Sequence, residues 1–371
     1  MAKMKITQLY TYPIKALRPT ALTSSTLTRH GFTYDRRFML LKLEPAPKPP
    51  QNMHLSLFLE MCLFTTDIIF PENDTAGGKV IVTYNPPPRQ GEEYDETGIE
   101  TKTTLEIPLQ PSIEALSEVI VDMNFSPTTA YDMGEEYNSW FSKRFGFDVM
   151  LVYSGEHRRG VKGSFAPSVA NKKGNETSSS GGGGGGALFS GITKAVSYFG
   201  GKGGEENEEE EEGITFSDVA PYLVVSETSR DNVSSRLPEG EDMDITKFRP
   251  NIVVSGAGEA FEEDFWAEIV IKDADGDNNN DAEKAKFHLT QNCNRCLTIN
   301  VDFETGKTGQ GESGTVLKKL MKDRRVDKGT KYNPIFGRYG FLDREGVGCV
   351  IRVGDEVVVS RRNEEHTVFG K

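Results

Sequence analysis

The first hundred residues are built from short runs in which apolar and polar residues alternate, with proline, glycine or asparagine between the runs. Alternation is typical of β-strands, whose successive side chains point to opposite faces of a sheet, and the separating residues are typical of turns. The runs are KITQLYTYPI, RRFMLLKL, LFTTDIIF, KVIVTY and TTLEIPL. Several short strands separated by turn residues indicate β-sheets with short connections. The sequence therefore predicts a largely β N-terminal domain over residues 1–150.

Helical periodicity occurs at two places in an otherwise strand-like sequence. GEEYNSWFSKRFG at 134–146 reads as an amphipathic helix, and ETSRDNVSSRL at 227–237 reads as a second one. The strand-like runs of the second half are APYLVVS, PNIVVSG, EIVIKD, KFHLTQN, CLTINVDF and DEVVVSRR. The balance predicts a strand-rich α+β fold with barrel-like sheets, flanking helices and a second domain over residues 214–361.

A low-complexity tract separates the two predicted domains. Residues 171–213 are dominated by glycine, serine and glutamate, and they cannot bury enough apolar surface to offset their chain entropy, so we predict a disordered insertion. Within it, residues 187–199 place apolar side chains on one face of a helix. These are Leu188, Phe189, Ile192, Val196 and Phe199. This face can make a peripheral membrane or partner contact, and a transient helix in a tether is the simpler interpretation.

Composition indicates the cellular compartment of the chain and the partners that it does not bind. Four scattered cysteines in 371 residues do not form a disulfide framework and favour a reducing compartment. No apolar run approaches the roughly 20 residues that span a bilayer, and the start MAKMKITQLYTYPIK reads as a strand. We therefore expect an intracellular protein with no transmembrane helix or signal peptide. The net charge of −13 argues against a nucleic-acid partner, because phosphate contacts need a basic face.

The segment QNCNRCLTINVDF contains a Cys-x-x-Cys pair, Cys293 and Cys296, with Arg295 beside the second cysteine. A structural zinc site would need a second ligand pair, whereas Cys62 and Cys349 stand alone. A thioredoxin-type pair would lie at the N-terminus of a helix, yet the residues after Cys296 are predicted to form a strand. Two buried structural cysteines, or one metal-ligating thiolate favoured by the neighbouring cation, remain as alternatives.

Five motifs make a more specific pattern, because they occur in a fixed order along nearly the whole chain. They are YPIKAL at 12–17, DRRFMLL at 35–41, FRPNIVVSG at 248–256, CNRCLTINVDFETG at 293–306 and FGRYG at 336–340. In this respect the chain resembles proteins that join an N-terminal MOSC β-barrel domain to a MOSC domain, in particular the amidoxime-reducing members of that family.

The resemblance implies a bound molybdenum cofactor (Mo-molybdopterin), with Cys296 as the metal ligand and catalytic residue and Cys293 as a neighbour. A soft thiolate suits a metal already held by dithiolene sulfurs. The anionic cofactor also needs cations and amide or hydroxyl partners. The matching motifs supply Lys15, Arg37, Asp218, Arg249, Asn251, Asn294, Arg295 and Tyr339. Ala16 and the pair Val219-Ala220 depart from the family pattern by lacking hydroxyl groups.

The implied activity is reduction of small N-hydroxylated (N-oxygenated) substrates. Electrons would come from a separate donor of the cytochrome b5 and cytochrome b5 reductase type, because the clustered cysteines of an appended [2Fe–2S] domain are absent from the sequence. The same resemblance implies a cytoplasmic location or a peripheral one on the mitochondrial outer membrane. An alternative is a non-catalytic carrier of the molybdenum cofactor or of its sulfur, since MOSC domains also occur in cofactor sulfurases.

Overall fold

The structure is a computed structural model, and seven stretches of the chain are described. These are residues 3–71, 77–88, 102–123, 125–162, 166–167, 213–274 and 283–370. The predicted disordered insertion, apart from residue 213, and the apolar island at 187–199 lie outside the described residues. Within the described residues, every helix is too short or too polar to cross a membrane.

The described residues form twenty-three strands and three α-helices. The strands before the insertion are β1 Met4–Thr11, β2 Thr20–Leu22, β3 Ser24–Thr28, β4 Gly31–Phe32, β5 Phe38–Lys42, β6 Gln51–Asn52, β7 Phe64–Ile69, β8 Lys79–Tyr84, β9 Thr103–Pro108, β10 Ser117–Asp122, β11 Pro127–Asp132, β12 Val149–Tyr153 and β13 Arg159–Gly160. The strands after it are β14 Gly213–Ile214, β15 Tyr222–Ser226, β16 Ile252–Ser255, β17 Trp266–Lys272, β18 Glu283–Asn294, β19 Val301–Asp302, β20 Lys307–Thr308, β21 Ile335–Leu342, β22 Val350–Arg352 and β23 Glu356–Arg362.

Helices are few and short. The α-helices are α1 Glu135–Phe145, α2 Glu227–Ser234 and α3 Val316–Leu320. The 3-10 helices are Leu59–Leu63, Ile245–Phe248, Glu262–Phe265, Leu297–Asn300, Ser313–Thr315 and Arg344–Gly346. The predicted strand-rich α+β fold is therefore confirmed, and both predicted helices are present.

Seven strands close into a barrel in the order β16, β15, β21, β18, β17, β23 and β1, and β1 returns to β16. The closing pair is antiparallel and sets Leu9 opposite Ile252. Closure removes the unpaired edges that an open sheet would expose. Alternate residues of these strands fill the interior with large apolar groups. They include Ile6, Leu9, Tyr222, Val224, Trp266, Ile269, Phe287 and Leu289.

The barrel draws its strands from both ends of the chain. Strand β1 comes from the N-terminal segment, whereas the other six strands of the ring lie after the insertion. The N-terminal region predicted over 1–150 thus contributes a strand to the sheet of the second region. The first turn after β1 is held in this way against β16, and this arrangement brings residues near position 12 to those near position 250.

Eight of the other N-terminal strands form two further sheets around α1. One contains β10, β11, β12, β5 and β6, and the other contains β7, β8 and β9. Phe141 of α1 is fully buried and belongs to the same apolar cluster as Phe64 of β7 and Leu151 of β12. The aromatic rings of Phe64 and Phe141 lie 5.7 Å apart between centroids. This second core holds the region together independently of the barrel interior.

Helix α1 is capped at its C-terminus by Gly146, which has a left-handed φ of 75°. A Cβ at this position would meet no atom within 4 Å, so replacing glycine costs only backbone strain. We expect Gly146→Ala to lower the free energy of unfolding by about 1 kcal/mol, measured by urea denaturation. Gly77 is the matched control, because it also has open space but no positive φ. An equal loss in Gly77→Ala would contradict the strain argument.

Glu263 is a fully buried carboxyl that accepts a hydrogen bond of 2.7 Å from the Ser229 hydroxyl. Burial raises the pKa of Glu263 to about 7. The protonated form is thus favoured in the folded state, and stability falls as the pH rises from the unfolded pKa towards 7. Between pH 5 and pH 8 we expect a loss of about 2 to 3 kcal/mol that Glu263→Gln largely removes, measured by urea denaturation. Identical pH dependence of the two proteins would contradict this expectation.

The predicted strand CLTINVDF is wrong in its first half. Leu297–Asn300 forms a 3-10 helix, and only Val301–Asp302 is extended. Tertiary contacts outweigh the β-propensity of the run, because Ile299 is buried and the side chain of Asn300 accepts a hydrogen bond of 2.9 Å from the backbone of Leu317. The turn ends the sheet at Asn294 and leaves Cys296 at the start of the 3-10 helix.

Candidate functional site

The two cysteines of the Cys-x-x-Cys pair lie in opposite environments. Cys293 is buried, its thiol donates to the Tyr339 hydroxyl over 3.1 Å, and burial raises its pKa. Cys296 is exposed, and its sulfur lies 3.3 Å from the Thr298 hydroxyl. Only the Cys296 thiol is therefore open to a ligand or a metal, and Cys293 has the surroundings of a structural cysteine.

Arg295 is buried and fixes the backbone that presents Cys296. Its Nε donates to the Phe336 carbonyl over 2.9 Å, and its Nη1 donates to the Phe248 carbonyl over 2.7 Å. The guanidinium also lies 5.3 Å from the ring centroid of Phe248, which stacks on Phe336 at 3.8 Å. The sequence predicted Arg295 as a cofactor-binding cation, and the structure places most of its donors on backbone carbonyls.

Arg36 and Arg249 both lie over the ring of Tyr12. Their guanidinium carbons are 4.6 Å and 4.2 Å from its centroid. Asp35, which is buried, pairs with Arg36. Arg249 has no carboxylate partner among the described residues, and its Nη1 donates to the Leu17 carbonyl over 2.8 Å. Burial, reinforced by the charge of Arg36, lowers the pKa of Arg249 to about 10. The cluster therefore carries an excess of positive charge.

One nitrogen of this cluster has no partner. Arg249 Nη2 is shielded from solvent and makes no hydrogen bond within the described part of the chain. A buried guanidinium donor without an acceptor is costly, because it has lost water without gaining a replacement. An anionic group bound at this position would supply the missing acceptor.

Lys15 and Asp218 form an ion pair beside the arginines. Lys15 is buried and also donates to the Phe216 carbonyl over 3.0 Å, whereas the Asp218 side chain is 67% exposed. Burial lowers the pKa of Lys15, and the pairing with Asp218 opposes this. For Asp218 desolvation opposes ionisation, yet Lys15, Arg36 and Arg249 together lower its pKa. The pair thus places one exposed carboxylate beside Lys15, Arg36 and Arg249, the three cations that we call the basic cluster.

One hydrogen bond joins the segment of the cysteine pair to that of the basic cluster. Arg295 donates to the carbonyl of Phe248, which directly precedes Arg249. In addition, burial raises the pKa of Cys293, and the negative charge of Asp218 adds to that rise. Motifs that are far apart in sequence thus meet at one site, because the barrel sets the end of β1 next to the start of β16.

The two predicted asparagines are already engaged by the protein. Asn251 is buried, its Oδ1 accepts from the Leu223 backbone over 3.2 Å, and its Nδ2 donates to the Tyr10 carbonyl over 3.2 Å. Asn294 accepts a hydrogen bond of 2.7 Å from the Thr330 hydroxyl. Both side chains hold strands and loops around the site, and this arrangement favours a supporting role.

Arg37 is the predicted residue that the structure does not bring to the basic cluster. Its guanidinium donates to the Ser154 hydroxyl over 3.1 Å, the Tyr153 hydroxyl over 3.0 Å and the Gly155 carbonyl over 2.6 Å. Its neighbour Arg36 reaches the cluster instead. Arg36 has a left-handed φ of 51°, which turns consecutive arginines to different sides.

Sequence analysis missed Tyr12 and Arg36 as members of the site. Tyr12 is fully buried, donates to the Pro250 carbonyl over 3.1 Å and supports both guanidinium groups. Both residues belong to motifs that the sequence singled out, YPIKAL and DRRFMLL. The available signal was therefore the motif as a whole, within which the residues that face the site depend on backbone turns.

The chemistry of the site fits the cofactor that the resemblance implies. Cys296 offers one accessible thiol sulfur, which is a soft ligand, and Arg249 offers a buried donor without an acceptor. Lys15 and Arg36 add positive charge nearby. Within the described ranges, no group of three or more histidine, cysteine, aspartate or glutamate side chains is arranged to hold a metal ion.

Comparison with known proteins assigns families to two parts of the chain. The family model of the MOSC N-terminal beta barrel domain matches residues 3–51, and the model of the MOSC domain matches residues 211–358. Together they cover more than half of the chain. The five sequence motifs fall within these two matches, and so do Lys15, Arg249 and Cys296.

Several curated proteins are similar to this chain. It is 36% identical over 148 residues to mitochondrial amidoxime-reducing component 1 of Mus musculus, which is 39% of this chain and 38% of that protein. The identity is 34% over 145 residues for the Homo sapiens protein of the same name and 33% over 144 residues for that of Danio rerio, with the same shares covered. The matched stretch thus spans less than half the length of each relative.

Proposed function

Because this chain belongs to the family that joins a MOSC N-terminal beta barrel domain to a MOSC domain, we propose that it is a molybdenum-cofactor-dependent reductase of small N-oxygenated compounds. The names of its relatives, amidoxime-reducing components, favour this class of substrate. The observation that carries the proposal is that an accessible Cys296 thiol and the unpartnered Nη2 of Arg249 lie on segments joined by the hydrogen bond from Arg295 to the Phe248 carbonyl.

When bound, the cofactor would supply two-electron reduction, in which an oxygen atom is taken from the substrate nitrogen. Cys296 would hold the metal through its sulfur, at a place where solvent and substrate have access. Arg249 would donate from Nη2 to an anionic group of the cofactor, and Tyr12 and Leu17 keep its guanidinium in position. The contacts of Arg249 with Tyr12 and Leu17 exist before the cofactor binds, so binding has to order few additional side chains.

Lys15 and Asp218 would set the charge at the opening of the site. Burial lowers the pKa of Lys15, and the adjacent Asp218 carboxylate favours its cationic form against that effect. Lys15 can also exchange the Asp218 carboxylate for an incoming anionic group, because Asp218 makes the ion pair from the solvent side. Arg295 would act indirectly by holding the backbone that carries Cys296.

Electrons would come from a separate protein of the cytochrome b5 type, which is itself reduced by a cytochrome b5 reductase. This part of the proposal rests on the resemblance to amidoxime-reducing proteins. A location on the mitochondrial outer membrane is proposed on the same ground, and the relatives carry "mitochondrial" in their names.

Metal analysis combined with one turnover assay tests the proposal. Protein purified from cells that make the cofactor is expected to contain about one molybdenum per chain, and with reduced methyl viologen it is expected to convert benzamidoxime to benzamidine. Molybdenum without turnover would identify a non-catalytic cofactor carrier. Turnover or metal content equal to that of a preparation from cofactor-deficient cells would contradict the proposal.

A further inference from the structure

A strongly basic segment follows the cysteine pair in an otherwise acidic chain. Residues 318–331, KKLMKDRRVDKGTK, contain seven lysines and arginines against two aspartates, whereas the whole chain has a net charge of −13. We call these residues the basic segment. They include the second half of α3 and the loop that leads to β21.

Hydrogen bonds attach both ends of the basic segment next to Cys296. At its start, the backbone of Leu317 donates to Asn300 over 2.9 Å, and Asn300 closes the 3-10 helix that follows Cys296. Near its end, Thr330 donates to Asn294 over 2.7 Å, two residues before Cys296. The two attachment points, Asn294 and Asn300, therefore lie on either side of Cys296 in sequence.

The basic segment divides into cations used by the fold and cations left on the surface. Arg324 pairs with the buried Asp264 over 2.5 Å, and Lys319 pairs with Glu312 over 2.5 Å. In contrast, the exposed cations Lys318, Lys322 and Lys331 make no ion pair with any residue that the structure describes. They leave net positive charge on this face.

Two large apolar side chains are exposed beside these cations. Leu297 follows Cys296 directly and is 61% exposed, and Tyr332 follows Lys331 and is 69% exposed. Lys331 lies over the Tyr332 ring, with its Nζ 5.0 Å from the centroid. A tyrosine and an aliphatic group amid cations match the composition of transient protein interfaces, in which aromatic residues are enriched.

We propose that the basic segment, with Leu297 and Tyr332, is the docking surface for an acidic electron-carrier protein. This inference rests on the proposed function, because only a redox reaction needs such a partner. An acidic carrier would be repelled by the overall charge of this chain and attracted by this one face, so its approach would be steered to the side that carries Cys296. A carrier docked here would lie on the side of the chain segment that carries Cys296, because the basic segment is hydrogen-bonded to Asn294 and Asn300.

The test compares two sets of three charge reversals. Lys318→Glu, Lys322→Glu and Lys331→Glu together alter the proposed surface. Lys48→Glu, Lys102→Glu and Lys143→Glu alter exposed cations of the N-terminal half and change the net charge equally. Lys328 is left unchanged, because Glu364 and Glu365 line the same depression and offset its charge.

Cytochrome b5 with its reductase serves as the acidic donor, and reduced methyl viologen serves as the donor that needs no docking. For the triple variant of the basic segment, we expect KM for cytochrome b5 to rise about tenfold and its salt dependence to weaken. Turnover with viologen should stay the same, and the control triple variant should keep its KM for cytochrome b5. A Tyr332→Ser variant should raise KM without changing the salt dependence.

Three results would overturn the inference. Equal rises of KM in the two triple variants would mean that only net charge matters. An equal loss of turnover with viologen in the basic-segment variant would make this segment part of the site. Binding of wild-type protein, but not of this variant, to vesicles with anionic lipid, together with an unchanged KM, would identify a lipid surface instead. If wild-type protein shows no turnover with viologen, the proposed function fails, and calorimetric titration with cytochrome b5 still decides on the surface.

Discussion

Cys296→Ala is expected to abolish benzamidoxime reduction, whereas Cys293→Ala should retain most of it. The reason is the difference in their surroundings: the Cys296 thiol is exposed at the start of a 3-10 helix, and the Cys293 thiol is buried against Tyr339. A single accessible thiolate cannot be replaced by its buried neighbour, because the fold directs that neighbour away from solvent. Turnover with reduced methyl viologen and molybdenum content are the two measurements.

Stability provides the control for this comparison. Removing the exposed Cys296 thiol should leave the free energy of unfolding of the apo protein within about 0.5 kcal/mol of wild type, and removing the buried Cys293 thiol should cost about 1 kcal/mol. The variant that loses function should thus be the more stable of the two. Cys349→Ala, a third cysteine outside the site, should behave as wild type. Equal losses of activity from Cys293→Ala and Cys296→Ala would restore a dithiol or zinc interpretation.

The sequence was sufficient for the fold class because the strand pattern is local. Runs such as KVIVTY are strands over the same residues in the structure, Lys79–Tyr84, since their apolar positions alternate and turn residues border them. Closure of the barrel, in contrast, depends on pairing between residues that are far apart in the sequence. The pairing of Leu9 with Ile252 joins residues more than two hundred positions apart, and no local pattern encodes it.

The site shows the same limit at the scale of single residues. The motif DRRFMLL pointed to an arginine, but the left-handed φ of Arg36 decides that Arg36, and not Arg37, meets Tyr12. The family motif implies Arg295 as a cofactor-binding cation, whereas its hydrogen bonds to the Phe248 and Phe336 carbonyls depend on loops brought together by the barrel. Residue type and motif indicate the chemistry of a site, and tertiary structure decides which donors remain free.

Arg249→Ala is expected to lower molybdenum occupancy about tenfold or more, because a charge-assisted hydrogen bond to an anion contributes roughly 1.5 to 3 kcal/mol. The apo protein should change little in stability. Substitution removes the hydrogen bond to the Leu17 carbonyl, but it also removes a buried guanidinium whose pKa is lowered to about 10. Alanine meets the same left-handed backbone at φ 55° as arginine does, so strain is unchanged.

Arg37→Ala is the matched comparison, because Arg37 is also a partly buried arginine of a family motif but all its contacts are with β12 and the residues that follow it. We expect it to lower the thermal midpoint of apo and loaded protein alike and to leave molybdenum content nearly unchanged. Arg249→Ala should lower the molybdenum content and leave the thermal midpoint of the apo protein nearly unchanged. The rise in thermal midpoint that the cofactor causes should largely disappear, since that rise reports binding to the folded state alone. Equal falls in the midpoints of apo and loaded Arg249→Ala protein, with molybdenum content preserved, would make Arg249 a structural residue. In that case the unpartnered Nη2 would have no role in holding an anion.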